Sequence, residues 1–196
     1  MDTIDKLAEI FKEFPGIGQR QARRFVYYLM ARDSGFTDNL TNLLSALKKE
    51  VAQCKECFRF FLSRNGDTCD ICADPNLQHA TLMVLEKDSD LESVRKSGVY
   101  QGKFFVLGGL VPIVEKNTKR QIRIEELKKK IMKDKPDEII LAFSMSPHGE
   151  HTDQYVRNEL KNLTAKISSL GRGLSTGTEL EYSDNDTLRN ALKNRS

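Results

Sequence analysis

The 196-residue chain is 39% hydrophobic and 30% charged, and its formal net charge is only +3, a balance typical of a globular protein. No apolar run approaches the roughly 20 residues that a membrane-spanning helix requires, and the start of the chain lacks the basic and apolar stretches of a secretion signal. These features argue against a membrane protein and predict a cytoplasmic location. Basic residues exceed acidic ones towards both ends, which suits a polyanionic partner or simply a solvated mixture of charges.

The first quarter of the sequence predicts three amphipathic helices, because apolar residues recur there at i, i+3, i+4 and i+7. The three stripes are Leu7, Ile10, Phe11 and Phe14; Ala22, Phe25, Val26, Leu29 and Met30; and Leu40, Leu43, Leu44, Leu47 and Val51. Pro15-Gly16-Ile17-Gly18 separates the first two helices, and Asp33-Ser34-Gly35 separates the second from the third.

The four cysteines of the chain form two C-x-x-C pairs, Cys54 with Cys57 and Cys69 with Cys72. Two such pairs supply the four thiolates of a closed tetrahedral site, which is the coordination that structural zinc takes. The turn Arg64-Asn65-Gly66-Asp67 between them is suited to bring the pairs together. Two disulfides or four unrelated thiols are the alternatives, and the lack of a secretion signal favours one structural zinc ion.

Beyond the cysteines, apolar runs of strand length alternate with helical patterns, which predicts a mostly parallel sheet covered on both faces. The strands are predicted over 81–85, 104–107, 138–143 and 166–170, and the helices around Leu91, around Leu127 and around Leu160. Residues 179–182 predict a short C-terminal strand, and a terminal helix follows. Lys128-Lys129-Lys130 is predicted to be the solvated face of the helix that contains Leu127.

The turn between the first two helices has the pattern of a phosphate-binding hairpin. Gly16 and Gly18 leave backbone N–H groups accessible, and the start of the following helix adds its positive dipole. Arg20, Arg23 and Arg24 lie in the first turns of that helix, where they can contact neighbouring phosphates. The pattern is that of a DNA-binding helix-hairpin-helix, with a purely structural tight turn as the alternative.

Acidic side chains follow the first predicted strand of the sheet, at the edge where parallel sheets bind ligands. Glu86 ends that strand and Asp90 comes shortly after it, an arrangement that fits either Mg²⁺ or a partner protein. The loop after the 138–143 strand contributes only Glu150, with His148 and His151 beside it as alternative metal ligands or proton carriers. A two-metal catalytic site is therefore not predicted.

Taken together in chain order, these motifs resemble the RecR family of bacterial recombination mediators. The hairpin resembles that family's Phe-Pro-Gly-Ile-Gly segment, the cysteines its zinc motif, and Val84-Leu85-Glu86 with Leu107-Gly108-Gly109 its Toprim domain. The C-terminal matches are Arg172-Gly173-Leu174, Leu180-Glu181-Tyr182-Ser183-Asp184 and the following residues as far as Arg195.

The resemblance implies an α+β protein of four parts: a helix-hairpin-helix DNA-binding domain over 1–53, a four-cysteine zinc finger over 54–76, a Toprim domain over 77–171 and a C-terminal oligomerisation segment over 172–196. It implies a non-enzymatic DNA-repair protein that acts with RecO and RecF to help load RecA onto single-stranded DNA. The family forms ring-like tetramers, so a tetrameric or dimeric homo-oligomer is expected. By the same analogy, Arg20 and Arg24 contact DNA, and a Toprim face with Glu86, Asp90 and Glu150 binds RecO.

Several positions depart from the family pattern and weaken a magnesium site. Lys87 replaces an acidic residue, His148 precedes Gly149-Glu150 where a glutamate is usual, and residues 115–119 replace a glycine-rich segment. The alternative function is a Mg²⁺-dependent Toprim nuclease or topoisomerase-like enzyme that uses Glu86. Such enzymes also require a D-x-D motif, and Ser144-Met145-Ser146 occupies that place.

Overall fold

The chain divides into a helical unit, Met1–Val51, and a larger mixed unit, Ala52–Ser196. The computed structural model describes residues 1–63, 66–113, 122–163, 166–171, 173–174, 177 and 179–193. Four sets of residues that entered the sequence predictions lie outside this part: Arg64-Asn65 of the turn, segment 115–119, Arg172 and Arg195. Within the described part, no helix combines the length and apolar character needed to cross a membrane.

Three helices build the N-terminal unit, as the periodicity predicts. They are α1 (Thr3–Lys12), α2 (Gln19–Met30) and α3 (Ser34–Glu50). Asp2 and Asp33 cap the first and third helices, since their carboxylates accept the N–H groups of Asp5 and Phe36. Ala8, Ala22 and Val26 are buried, which defines a small core between α1 and α2.

Helix α3 forms where it is predicted, but three leucines of its apolar stripe are exposed. Leu43, Leu44 and Leu47 are all exposed, and no residue of the helix is buried. The helix begins before Leu40, because Asp33 caps it at Ser34, and it ends before Val51, which starts a strand. The unit therefore presents an apolar helical surface to its surroundings.

The larger unit begins with a small hairpin around the cysteines and continues into a four-stranded parallel sheet. The hairpin segments are β1 (Val51–Gln53), β2 (Phe60–Leu62) and the short helix α4 (Asp70–Ala73). The sheet segments are β3 (Gln78–Leu85), α5 (Asp88–Ser97), β4 (Gly102–Val106), α6 (Ile124–Asp134), β5 (Glu138–Ala142), α7 (Pro147–Leu160) and β6 (Lys166–Ser169). The spatial order is β4-β3-β5-β6, and all three pairings are parallel, so the predicted fold class is confirmed.

Alternate residues of each strand divide the core between the two faces of the sheet, because successive side chains point to opposite sides. Leu82 and Val84 of β3 pack with α6 and α7, together with Phe105 of β4. Met83 and Leu85 face the other way and pack with Leu91 of α5 and with the cysteines. The cysteine motif therefore covers one face of the sheet and belongs to its core.

The prediction of a short C-terminal strand is wrong, because residues Leu180–Tyr182 form one turn of 3-10 helix. The N–H groups of Tyr182 and Ser183 donate to carbonyl groups three residues earlier, which closes the turn instead of pairing with a strand. Helix α8 (Asn185–Lys193) follows as predicted, and Asp184 caps it by accepting from the N–H of Thr187.

Candidate functional site

The structure brings the four cysteines together into one cluster. Their sulfur atoms all lie within 4.8 Å of one another, and Cys54, Cys57 and Cys69 are completely buried while Cys72 is partly exposed. Thiolates about 2.3 Å from a common tetrahedral zinc ion are separated by about 3.8 Å, so the cluster has the size of such a site. Among the described residues, no other group of three or more His, Cys, Asp or Glu side chains is placed to hold a metal ion.

Backbone hydrogen bonds hold the two C-x-x-C segments in place. The N–H of Cys69 donates to the sulfur of Cys54 at 3.4 Å, and the N–H of Lys55 donates to the carbonyl of Asp67 at 2.8 Å. Phe58 adopts a left-handed conformation with φ of 62°, which turns the chain back after Cys57. These contacts join the two arms of the motif to each other.

Proton sharing among the thiols sets their acidity. Hydrogen bonds from Cys57, Cys69 and Cys72 stabilise the thiolate of Cys54 and hold its pKa far below the ordinary thiol value. The pKa of Cys57 is raised by its hydrogen bonds with the other three sulfur atoms and by burial. Binding of a metal ion by these sulfur atoms requires the thiols to lose their protons.

The cysteine motif is attached to the sheet by hydrogen bonds and ion pairs as well as by apolar packing. The carbonyl of Cys57 accepts the N–H of Val106 at the end of β4, at 2.8 Å. Arg59 is only 8% exposed, and its guanidinium contacts Asp70 at 3.1 Å and Glu92 of α5 at 3.7 Å. These contacts hold both the cysteine motif and α5 against the same face of the sheet.

The predicted hairpin between α1 and α2 forms with the expected geometry. Gly16 has a φ of 78°, and the N–H of Ile17 donates to the carbonyl of Phe14 at 3.1 Å, closing a tight turn. Gly18 is the N-cap of α2 and supplies no capping side chain, so the first N–H groups of the helix receive no side-chain cap from it. A Cβ added at Gly16 or Gly18 would have no atom within 4 Å, which shows that the turn is open on this side.

The three arginines of the hairpin differ in their environment, although all three are exposed. Arg23 forms an ion pair with Asp5 of α1 at 3.0 Å, and Arg24 donates to Gln21 at 3.4 Å. Arg20 forms no hydrogen bond or ion pair with any residue that the structure describes. Arg20 and Arg24 are therefore the two cations most available to an external anion.

The acidic residues at the carboxyl edge of the sheet are not assembled into a cation site. Glu86 directly follows β3, and Asp90 lies in the first turn of α5. Asp88 is used internally, since its carboxylate accepts the N–H of Phe60 at 2.7 Å. Glu150 lies in the first turn of α7, after the exposed His148, but these side chains are not part of any described metal-binding cluster.

Sequence reasoning missed the buried charges near the cysteines, Arg59 and Lys130. Lys130 is only 5% exposed, so the prediction that Lys128-Lys129-Lys130 is entirely a solvated face is wrong at this residue. Lys130 lies three residues after the buried Leu127, and that spacing places it beside the apolar stripe of α6. The helical spacing therefore indicated that Lys130 is buried, but the run of three lysines was interpreted as solvated throughout.

Comparison with known proteins supplies two family models and a set of full-length relatives. The model described as "RecR, helix-hairpin-helix" matches residues 4–48, and the model described as "Toprim domain" matches residues 81–171. Three relatives named "Recombination protein RecR" are similar over nearly their whole length. That of Parabacteroides distasonis is 31% identical, covering 100% of this chain and 90% of the relative. Those of Bacteroides thetaiotaomicron and Legionella pneumophila strain Corby are 33% and 32% identical, covering 98% and 100% of this chain and 93% and 98% of the relatives.

Proposed function

Because this chain belongs to the RecR family of recombination proteins, we propose that it acts in recombinational DNA repair as a DNA-binding mediator without catalytic turnover. The observation that carries this proposal is the open helix-hairpin-helix turn followed by exposed Arg20 and Arg24. Backbone N–H groups at a helix start, together with arginines, bind phosphate groups irrespective of base sequence. DNA is therefore the proposed ligand of residues Gly16, Gly18, Arg20, Arg23 and Arg24.

The proposed partners are RecO and RecF, with which this protein would load RecA onto single-stranded DNA. The surface proposed to meet RecO is the carboxyl edge of the sheet, with Glu86, Asp90 and Glu150. Acidic side chains at this edge suit a basic partner surface, because opposite charges across an interface favour association. The similarity of residues 81–171 to a Toprim domain supports the proposal that RecO binds at this edge of the sheet.

A homo-oligomer, tetrameric or dimeric and ring-like, is proposed as the working form. Two apolar surfaces support it: the exposed leucines of α3, and Leu180, Tyr182 and Leu192 near the C-terminus. Apolar side chains grouped in this way are typical of protein interfaces. The proposed division remains a DNA-binding domain over 1–53, a zinc finger over 54–76, a Toprim domain over 77–171 and an oligomerisation segment over 172–196.

One structural zinc ion is proposed as the cofactor, held by Cys54, Cys57, Cys69 and Cys72. Four sulfur ligands that are mostly buried leave no coordination position for water or substrate, as expected for a structural site. Magnesium is not proposed as a cofactor, since its oxygen ligands would have to come from the dispersed acids of the sheet edge. Cytoplasmic residence is proposed on the grounds of the reduced thiols that such a site requires.

A Toprim nuclease or topoisomerase-like activity is the second candidate, and the Toprim match over residues 81–171 favours it. This activity would use Glu86 with Mg²⁺. The loop after β5 contains Ser144-Met145-Ser146 in place of a D-x-D motif, and the hydroxyl groups of Ser144 and Ser146 are hydrogen-bonded to each other at 2.9 Å. Hydroxyl groups are poor substitutes for the carboxylates that bind catalytic magnesium, so the non-enzymatic function is preferred.

The proposed function is tested by measuring ATP hydrolysis by RecA on single-stranded DNA coated with its binding protein. Addition of this chain with RecO is expected to shorten the lag before hydrolysis, and omission of either protein is expected to restore it. A matched reaction with supercoiled plasmid and Mg²⁺ tests the second candidate. An unchanged lag would contradict the mediator function, and plasmid cleavage that disappears in Glu86→Gln would establish the enzyme instead.

A further inference from the structure

A buried lysine is paired with partly buried carboxylates beside the first C-x-x-C segment. The ammonium group of Lys130 on α6 lies 2.9 Å from the carboxylate of Asp134 and 3.6 Å from that of Glu56. Glu56 stands between Cys54 and Cys57 in the sequence, so this contact joins α6 to the cysteine motif. Burial of a lysine is costly unless neighbouring negative charges compensate its positive charge.

The carboxylates nearby are already shared among several cations. Lys133 contacts Glu56 at 2.5 Å, and Lys103 lies 3.8 Å from Asp134. Three lysines therefore surround two carboxylates, which leaves the group one positive charge in excess. The group of charges beside the cysteines is therefore net positive, and a nearby negative charge would stabilise it.

A tetrathiolate metal centre at the cysteines would supply such a negative charge. Four thiolates around a divalent ion carry a net charge of −2, and the cysteines that would form them are buried. Burial alone would lower the pKa of Lys130, but the carboxylates of Asp134 and Glu56 raise it. Because Glu56 stands between Cys54 and Cys57, its 3.6 Å contact with Lys130 places the ammonium group beside the segment that would carry this negative charge.

We propose that Lys130 is a positioning residue of the metal centre: its ammonium group offsets the negative charge of the tetrathiolate and holds Glu56 of the first C-x-x-C segment against α6. The inference rests on the proposed zinc occupancy of the cysteines. Outer groups of this kind orient ligands and adjust metal affinity without touching the ion. Lys130 is therefore expected to determine how tightly the chain retains zinc.

Two substitutions remove the same 2.9 Å ion pair but change the local charge in opposite directions. Lys130→Met withdraws a positive charge from the centre, while Asp134→Asn withdraws a negative one and preserves shape. The zinc dissociation constant of the full chain is measured for each by competition with a colorimetric chelator at one pH. Lys130→Met is expected to weaken zinc binding by about 10- to 100-fold, the usual range for outer-shell substitutions. Asp134→Asn is expected to leave it unchanged or tighter.

Two further variants complete the design. Lys129→Met removes an exposed charge from the same helix and is expected to leave the zinc dissociation constant unchanged. Lys130→Arg keeps the positive charge and is expected to restore most of the affinity. Equal weakening by Lys130→Met and Asp134→Asn would overturn the proposal, because that result identifies a purely structural ion pair.

The experiment also separates this inference from the zinc assignment. A wild-type chain that retains no zinc refutes the occupancy itself, whereas zinc-bound wild type with unaltered affinity in Lys130→Met refutes only the role of Lys130. If Lys130→Met does not fold, Asp134→Asn decides: weakened zinc binding in that variant overturns the proposal, and retained or tighter binding supports it.

Discussion

Replacing Arg20 and Arg24 by alanine is expected to weaken DNA binding in a way that depends on salt. Both side chains are exposed, and neither forms an ion pair in the described part of the chain. Alanine preserves the helix, since it has the highest helical propensity. The change therefore removes two cations from α2 and leaves the Arg23–Asp5 pair, which joins the two helices, in place.

The magnitude follows from counterion release. Each phosphate contact contributes about −0.9 to the slope of log affinity against log salt, so loss of two contacts makes the slope shallower by about 1.8. Between about 50 and 200 mM salt, this difference corresponds to roughly a 12-fold change in the ratio of wild-type to variant affinity. The disadvantage of the variant is thus largest at low salt and shrinks as salt is added.

The assay is fluorescence anisotropy of a labelled DNA duplex, titrated with protein at several salt concentrations. Lys48→Ala with Lys49→Ala is the matched control, because it removes two exposed charges from α3 of the same unit. The control is expected to keep the wild-type slope. An unchanged slope in the arginine variant would refute the hairpin as the DNA site, and an equal decrease in both variants would show that net charge alone is responsible.

Three other variants test the metal site and the packing of the larger unit. Cys57→Ser is expected to lose bound zinc and to lower the melting temperature by about 10 °C, measured by metal analysis and a thermal scan, because structural zinc contributes folding free energy; an undiminished melting temperature would contradict the site. Gly149→Ala would place a Cβ 1.9 Å from the carbonyl oxygen of Ser144 and is expected to destabilise the fold by about 1–3 kcal/mol in urea unfolding, whereas Gly171→Ala, with no atom within 4 Å, serves as the neutral control. Burial alone would raise the pKa of Asp134, but its lysine partners hold that pKa below the ordinary 3.8. Its contribution to stability is therefore present above about pH 4 and is lost as the pH falls through the folded pKa, so Asp134→Asn is expected to show a smaller acid-induced loss of stability, and an unchanged acid dependence would argue against the pairing.

Spacing and periodicity were sufficient to predict the features that depend on local pattern. The two C-x-x-C pairs predicted a cluster, and the alternation of apolar runs with helices predicted the parallel sheet, because both signals lie within short segments of sequence. The tight turn at Gly16 was predicted for the same reason, since its positive φ requires a residue without a Cβ.

Features that depend on what covers a surface could not be predicted in this way. The stripe of Leu43, Leu44 and Leu47 indicated a helix but not that its apolar face would remain exposed. A helical period identifies a face without identifying its neighbour. The burial of Lys130 and the packing of the cysteines against Met83 and Leu85 depend on contacts distant in sequence, and no local pattern specifies them.

The bond from the N–H of Val106 to the carbonyl of Cys57 has a consequence for self-association. Strand β4 is the outer strand at one side of the sheet, so its outward-facing backbone groups are a template on which another chain could add a strand. The cysteine motif covers this edge near its end by accepting one of those N–H groups. If the proposed zinc ion holds this motif in place, its removal is expected to uncover a pairing edge and to favour aggregation of the sheet.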